Sequence, residues 1–140
     1  MSIHVFTIIL ICLSLPILSG EKDIRDKYGS YQGKIDNDGS IRDKYGSYNG
    51  KINSEGELRD KYGGYKGRVS ERGEIRDRYG SYLGKITEGG DVRDKYGGYL
   101  GKIQEDGTVR DKYGSTLGKV GTQVPREGAA IKFFFPGMTD

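Results

Sequence analysis

Two residue types recur in this chain at spacings that invite chemistry. Aspartate stands at Asp26, Asp43, Asp60, Asp77, Asp94 and Asp111, and two places after each comes Tyr28, Tyr45, Tyr62, Tyr79, Tyr96 or Tyr113. Six equivalent carboxylates gathered in a ring would bind a cation or act as acid and base. An aspartate opening a turn instead accepts the turn's own backbone N–H bonds, and that structural role is the reading we adopt. Without a second, distinct carboxylate environment, no glycosidase pair can be named. The tyrosines are the stronger lead, because each follows a cation: Lys27, Lys44, Lys61, Arg78, Lys95 or Lys112. Flat amphipathic rings beside cations suit sugars and anionic polymers. The competing reading is that these rings cover hairpin ends in a core short of large aliphatics.

Other suggestive spacings fail on their chemistry. Gly46-Ser47-Tyr48-Asn49-Gly50-Lys51 resembles a phosphate loop, but it has three residues between its glycines and Ile52 after the lysine. A phosphate loop needs four, then Ser or Thr. Asp36-Asn37-Asp38-Gly39 resembles part of a calcium loop, yet the equivalent turns read Ser70-Glu71-Arg72-Gly73 and Thr87-Glu88-Gly89-Gly90. A repeated calcium site would not shed its carboxylates in this way. We therefore expect no cofactor and no metal.

The missing residue types narrow the field further. Of 140 residues one is Cys, one is His and none is Trp, and both His4 and Cys12 fall within the first twenty. A chain starting at Glu21 has no thiol, imidazole or disulfide, which removes thiol nucleophiles, Ser-His-Asp triads and zinc sites. We expect no enzyme. A net charge of +3 from 23 basic and 20 acidic residues is no nucleic-acid signal. Residues 1–20 run nearly unbroken through Ile8, Ile9, Leu10, Ile11, Leu13 and Leu15, then give way to Glu21-Lys22-Asp23. This is the pattern of a secretory signal peptide, with an uncleaved anchor as the alternative. Cleavage leaves no membrane span and implies a secreted or periplasmic protein.

What positions the tyrosines is a repeat. Arg-Asp recurs every seventeen residues from Arg25 to Arg110, each time after Ile, Leu or Val, in six copies that occupy residues 24–121. Glycine every four to six residues excludes helix. Each copy therefore reads as two strands of about five residues and two tight turns, roughly twelve strands in all. Placing Asp43 opposite Tyr48 across Lys44–Ser47 puts Ile41, Asp43, Tyr48, Gly50 and Ile52 on one face. That register points Tyr31, Tyr48, Tyr65, Tyr82 and Tyr99 inward and Asn49 outward. The alternate turn sets Ile52 opposite Leu58 around Ser54-Glu55-Gly56, with a glycine suited to left-handed geometry. One such unit buries too little to stand alone, so neighbours must share a core. The inward glycines 33, 50, 67, 84, 101 and 118 favour closure around an axis, since a side chain is omitted where backbones converge.

The expected fold is thus all-β, with tandem hairpin repeats over residues 21–123 closed around an axis in a flower- or propeller-like ring. Residues 124–140 form an apolar tail packing on the repeats, and its run Ala129 to Phe135 reads as a closing strand or plug. The alternative is a membrane or partner contact, with the three phenylalanines exposed.

The repeats and the tail together resemble the five-fold β-flower proteins, small exported proteins mainly of Gram-negative anaerobic bacteria. The resemblance rests on short tandem glycine-rich units and on a final segment carrying Glu127, Ala129, Ala130 and Phe133 to Phe135. It implies an all-β flower of radiating hairpins and supplies no catalytic or ligand-binding residue. Six Arg-Asp-x-Tyr-Gly turns against five complete alternate hairpins leave the fold number at five or six. The function expected is an exported, non-catalytic scaffold binding glycan or another envelope component through Tyr28, Tyr45, Tyr62, Tyr79, Tyr96 and Tyr113 with Lys44 and Lys61. The alternative is a structural protein that self-associates through its Phe-rich tail.

Overall fold

Aliphatic and tyrosine residues flanked by glycine turns make short strands, because β-branched and aromatic side chains fit a pleated surface and glycine ends it. The computed structural model describes residues 21–139; the signal segment expected over residues 1–20 lies outside the described residues. Twelve strands follow one another: β1 (Asp23–Asp26), β2 (Tyr31–Ile35), β3 (Ser40–Asp43), β4 (Tyr48–Ile52), β5 (Glu57–Asp60), β6 (Tyr65–Val69), β7 (Glu74–Asp77), β8 (Tyr82–Ile86), β9 (Asp91–Asp94), β10 (Tyr99–Ile103), β11 (Thr108–Asp111) and β12 (Thr116–Val120). Each pairs antiparallel with the next, and β1 pairs with β12, Ile24 opposite Val120, so the sheet closes into a barrel. Six hairpins carry the Arg-Asp tips, and five inner turns join them. The seam between β12 and β1 takes the sixth place, so the ring is six-fold.

The inner turns match the sequence reading. Ile52 faces Leu58, Asn53 N donates to Glu57 O at 3.0 Å, and Gly56 has a φ of 84°. Neighbouring turns are bonded together: Ile52 N donates to Gly39 O at 3.0 Å, and the same bond recurs from Val69, Ile86, Ile103 and Val120. Ile35 N completes the circle on Lys22 O at 3.1 Å. A Cβ on Gly39 would run into the Ile52 carbonyl, which is why these turns need glycine.

The tip hairpins differ from expectation by one residue. Ile41 faces Gly50 but Arg42 faces Tyr48, so Asn49 is the extra residue of a bulge, and the register shifts likewise in all six hairpins. A one-residue shift turns side chains over. Tyr31, Tyr48, Tyr65, Tyr82 and Tyr99, predicted inward, therefore share the outer face with Arg25, Arg42, Arg59, Arg76 and Arg93. At the bulge position Leu83, Leu100 and Leu117 take the inner side and pack on the core, while Asn49 stays exposed.

Inside, two sets of aliphatics line the barrel. Ile24, Leu58, Ile75, Val92 and Val109 form one with Ile41, which alone among them stays partly exposed; Ile35, Ile52, Val69, Ile86, Ile103 and Val120 form the other. Side chains fill a bore of about eight strands, and twelve leave a wider one. The tail fills it, as a helical plug and not as a closing strand, the two forms expected: α1 spans Arg126–Phe134 and is followed by a 3-10 turn at Pro136–Met138. Gly128, Ala129, Ala130 and Ile131 are buried on the axis. The helix enters at the inner-turn end, where Arg126 Nη1 donates to Glu88 O at 2.7 Å. A Cβ on Gly128 would lie 2.6 Å from Ile35 Cδ1, so the helix tolerates its glycine for the sake of close approach.

At the other end the tail reaches the mid-strand glycines. A Cβ there would meet Phe133 at 2.7 Å on Gly118, Phe134 at 2.8 Å on Gly101, Phe135 at 2.8 Å on Gly84 and Met138 at 2.6 Å on Gly67. A strand would send alternate phenyls to two opposite faces. A helix turns about 100° per residue and fans three consecutive rings toward three neighbouring hairpins. The tail is thus seated on its own repeats. Pro136 then stops the helix.

Candidate functional site

Each tip is built by its own Arg-Asp pair. In the second copy Asp43 N donates to Ser47 O and Gly46 N to Asp43 O, both at 3.0 Å, closing a turn over Lys44 and Tyr45 with Gly46 at φ 83°. Asp43 Oδ1 accepts from Tyr45 N at 2.9 Å and Ser47 N at 3.0 Å. The other five aspartates do the same within 2.8–3.0 Å. These are caps, as the sequence suggested. The N–H groups of Gly64 and Tyr62 hold Asp60 below the ordinary carboxylate range.

The arginine fastens the outer side. Arg42 Nη1 donates to Gly46 O at 3.1 Å, and all six arginines make this bond within 3.0–3.1 Å. The same guanidinium lies over the strand tyrosine, 5.4–5.9 Å from the ring centre in five copies. In the sixth Thr116 replaces that tyrosine, and Arg110 Nη1 donates to Thr116 Oγ1 at 3.1 Å. Tyr31, Tyr48, Tyr65, Tyr82 and Tyr99 are therefore part of the clamp that shapes each tip. Sequence reasoning missed this role, although the constant spacing of six between arginine and tyrosine was a signal for it.

What the tip does not use is its own tyrosine ring. Tyr28, Tyr45, Tyr62, Tyr79, Tyr96 and Tyr113 are 77–86% exposed. So exposed, they shield little of the hairpin ends, contrary to the reading in which they cover a core. Beside each stands its cation, with Lys44 Nζ 5.3 Å from the Tyr45 ring centre, Lys61 Nζ 5.2 Å from that of Tyr62, and the others within 4.9–5.3 Å. Arg78 Nη2 also donates to Tyr79 Oη at 2.7 Å. Pairing between neighbouring hairpins ends at Gly50–Asp60 and its equivalents. No ladder joins one tip to the next, so the six tyrosine–cation pairs stand on separate hairpin ends around one mouth of the barrel. Such an arrangement offers stacking faces and hydrogen-bond donors to a long or branched ligand.

Among the described residues no helix is long and apolar enough to cross a membrane, and no group of His, Cys, Asp and Glu has the arrangement to hold a metal ion. A family model described as 5-fold beta-flower protein matches residues 21–136, nearly all of the repeat array and tail. No curated protein and no solved structure matches the chain.

Proposed function

The chain belongs to the 5-fold β-flower family, and from that premise we propose that it is an exported, non-catalytic scaffold whose six tips bind an acidic glycan or another anionic envelope component. One observation carries this reading. Asp and Arg meet every structural need of the tip, yet all six copies add an exposed tyrosine with a cation beside it. An aromatic ring that exposed contributes little to folding, so its repetition is better explained by what it touches outside. Weak sites gain from linkage, because the second and later contacts are intramolecular. The apolar segment over residues 1–20 supports export, which favours envelope glycans over nucleic acid as partners.

The test is a glycan array probed with the purified protein and with a variant in which all six tip tyrosines are alanine. Binding to acidic glycans that the variant loses, while its melting temperature is unchanged, supports the proposal. A flat array for the native protein removes the glycan from it.

A further inference from the structure

The two ends of the barrel carry opposite charge. Between the capping aspartate and the next strand the six tip loops hold six cations, and with the arginines that clamp them the tips carry twelve cations against those six aspartates, whereas each of the five inner turns holds at least one carboxylate (Asp36, Glu55, Glu71, Glu88, Glu105) and together they contain a single cation, Arg72. Strand residues soften the contrast without reversing it: the six arginines beside the tips are matched by their six aspartates, and at the inner turns Lys34, Arg68, Lys85 and Lys102 stand opposite Asp23, Glu57, Glu74 and Asp91. Part of the inner-turn end is hollow, lined by Asp36, Asp38, Glu55, Glu71 and Glu127 together with Lys51 and Arg68. Hydrogen bonds between neighbouring turns hold that end together. The tip end has no such ladder between hairpins.

We propose that a second copy of this chain is a partner, docking its acidic inner-turn end onto the cationic tips of the first, head to tail on a common axis. Charge and symmetry both fit this occupant. Six tips meet five acidic turns and the seam, all spaced by the same seventeen-residue repeat. The backbone N–H groups of Ser40 and Thr108 hold Asp38 and Asp106 below the ordinary carboxylate range, which keeps that end charged into mild acid. A head-to-tail contact is heterologous and, with no rotation to close it, grows into stacks rather than stopping at two. The contact does not rest on the glycan reading, since it needs the tip cations and not the tyrosine rings. An anionic polymer would compete for the same cations.

Sedimentation velocity over a protein concentration series tests this. At about 20 mM NaCl the mass should climb steadily with concentration, and at about 0.5 M it should return to monomer, because charges facing each other at an interface are screened by salt. The triple variants K44E/K61E/K95E and E55K/E71K/E105K should each stay monomeric at low salt, and their mixture should associate again. The alanine variant of the tip tyrosines should stack like the native protein, which separates this proposal from the glycan reading. A native protein that is monomeric at low salt, a dimer that stops at two, or association indifferent to both charge reversals would overturn it.

Discussion

The hairpins β7–β8, β9–β10 and β11–β12 and the hairpins β1–β2 and β3–β4 have the same outer design but different interiors. In the first group Leu83, Leu100 and Leu117 follow the strand tyrosine, or Thr116 in the last, and Phe135, Phe134 and Phe133 lie on Gly84, Gly101 and Gly118. In the second group the matching residues are Gln32 and Asn49, and the atoms nearest a Cβ on Gly33 or Gly50 are backbone. Ile41 is partly exposed on this side, and a small apolar crevice runs between Ile24, Ile35, Ile41, Ile52 and Leu58 beside the tail. The hairpin β5–β6 stands between the groups, with Lys66 and a contact from Met138 on Gly67. A repeat thus fixes the outside of every hairpin, and a tail that occurs once breaks the symmetry within.

The largest effect should come from removing that tail. Truncation after Val124 takes away the buried helix and all three phenylalanines, and leaves a twelve-strand bore that its own side chains do not fill. Loss of a cooperative melt by circular dichroism is the expected result. A truncated chain that melts like the native one would mean that the interior difference carries no stability.

Next in size is a matched pair of glycine substitutions. Gly50 and Gly101 have φ of 144° and 158°, and a Cβ on either meets the carbonyl of the next strand, from Arg59 or Arg110. Only at Gly101 would it also strike a phenyl, that of Phe134. Both changes to alanine should destabilise, and Gly101→Ala should cost about 1–2 kcal/mol more by urea unfolding. Equal costs would show that Phe134 is not seated where its position implies.

Acid should act on both halves alike and have the smallest effect. Asp38, Asp60 and Asp106 are distributed around the ring, and each is held below its usual range by backbone N–H donors. A carboxylate depressed in the folded state stabilises it above the unfolded value of about 4, and that contribution is lost as pH falls through the lower folded value. The melting temperature should therefore be flat from about pH 7 to 5 and decline below about 4. Hydrogen exchange should quicken equally in both groups of hairpins; faster exchange in one group alone would tie acid sensitivity to the tail.

Much of this was legible in the sequence, and the failures have particular causes. The seventeen-residue spacing gives twelve strands, Ile52 opposite Leu58 follows from the apolar pattern, and Asp43 as a turn cap follows from its place before Lys44-Tyr45-Gly46. The strand tyrosines were placed on the wrong face because a bulge at Asn49 adds a residue without changing the local composition. The three successive phenylalanines look like a strand taken alone, since β propensity favours aromatics. Their helical form is imposed by a bore that exists only once all six hairpins have closed. Leu83, Leu100 and Leu117, in the three copies nearest the tail in sequence, mark an apolar sector that the reading from sequence alone did not use.

The seam between β1 and β12 carries a consequence for synthesis. Hairpins join residues close in the chain and can zip as they emerge, whereas Ile24 must wait for Val120, almost the whole array later. Until then β1 shows an unpaired edge, the feature that invites sheet-to-sheet aggregation. The plug follows β12 in the chain, so the bore stays unfilled until that segment too is available. The plug segment, residues 126–138, thus bears on whether the preceding hairpins become a filled barrel or a sticky sheet. Keeping the chain unfolded until the whole array and its plug are available avoids that hazard.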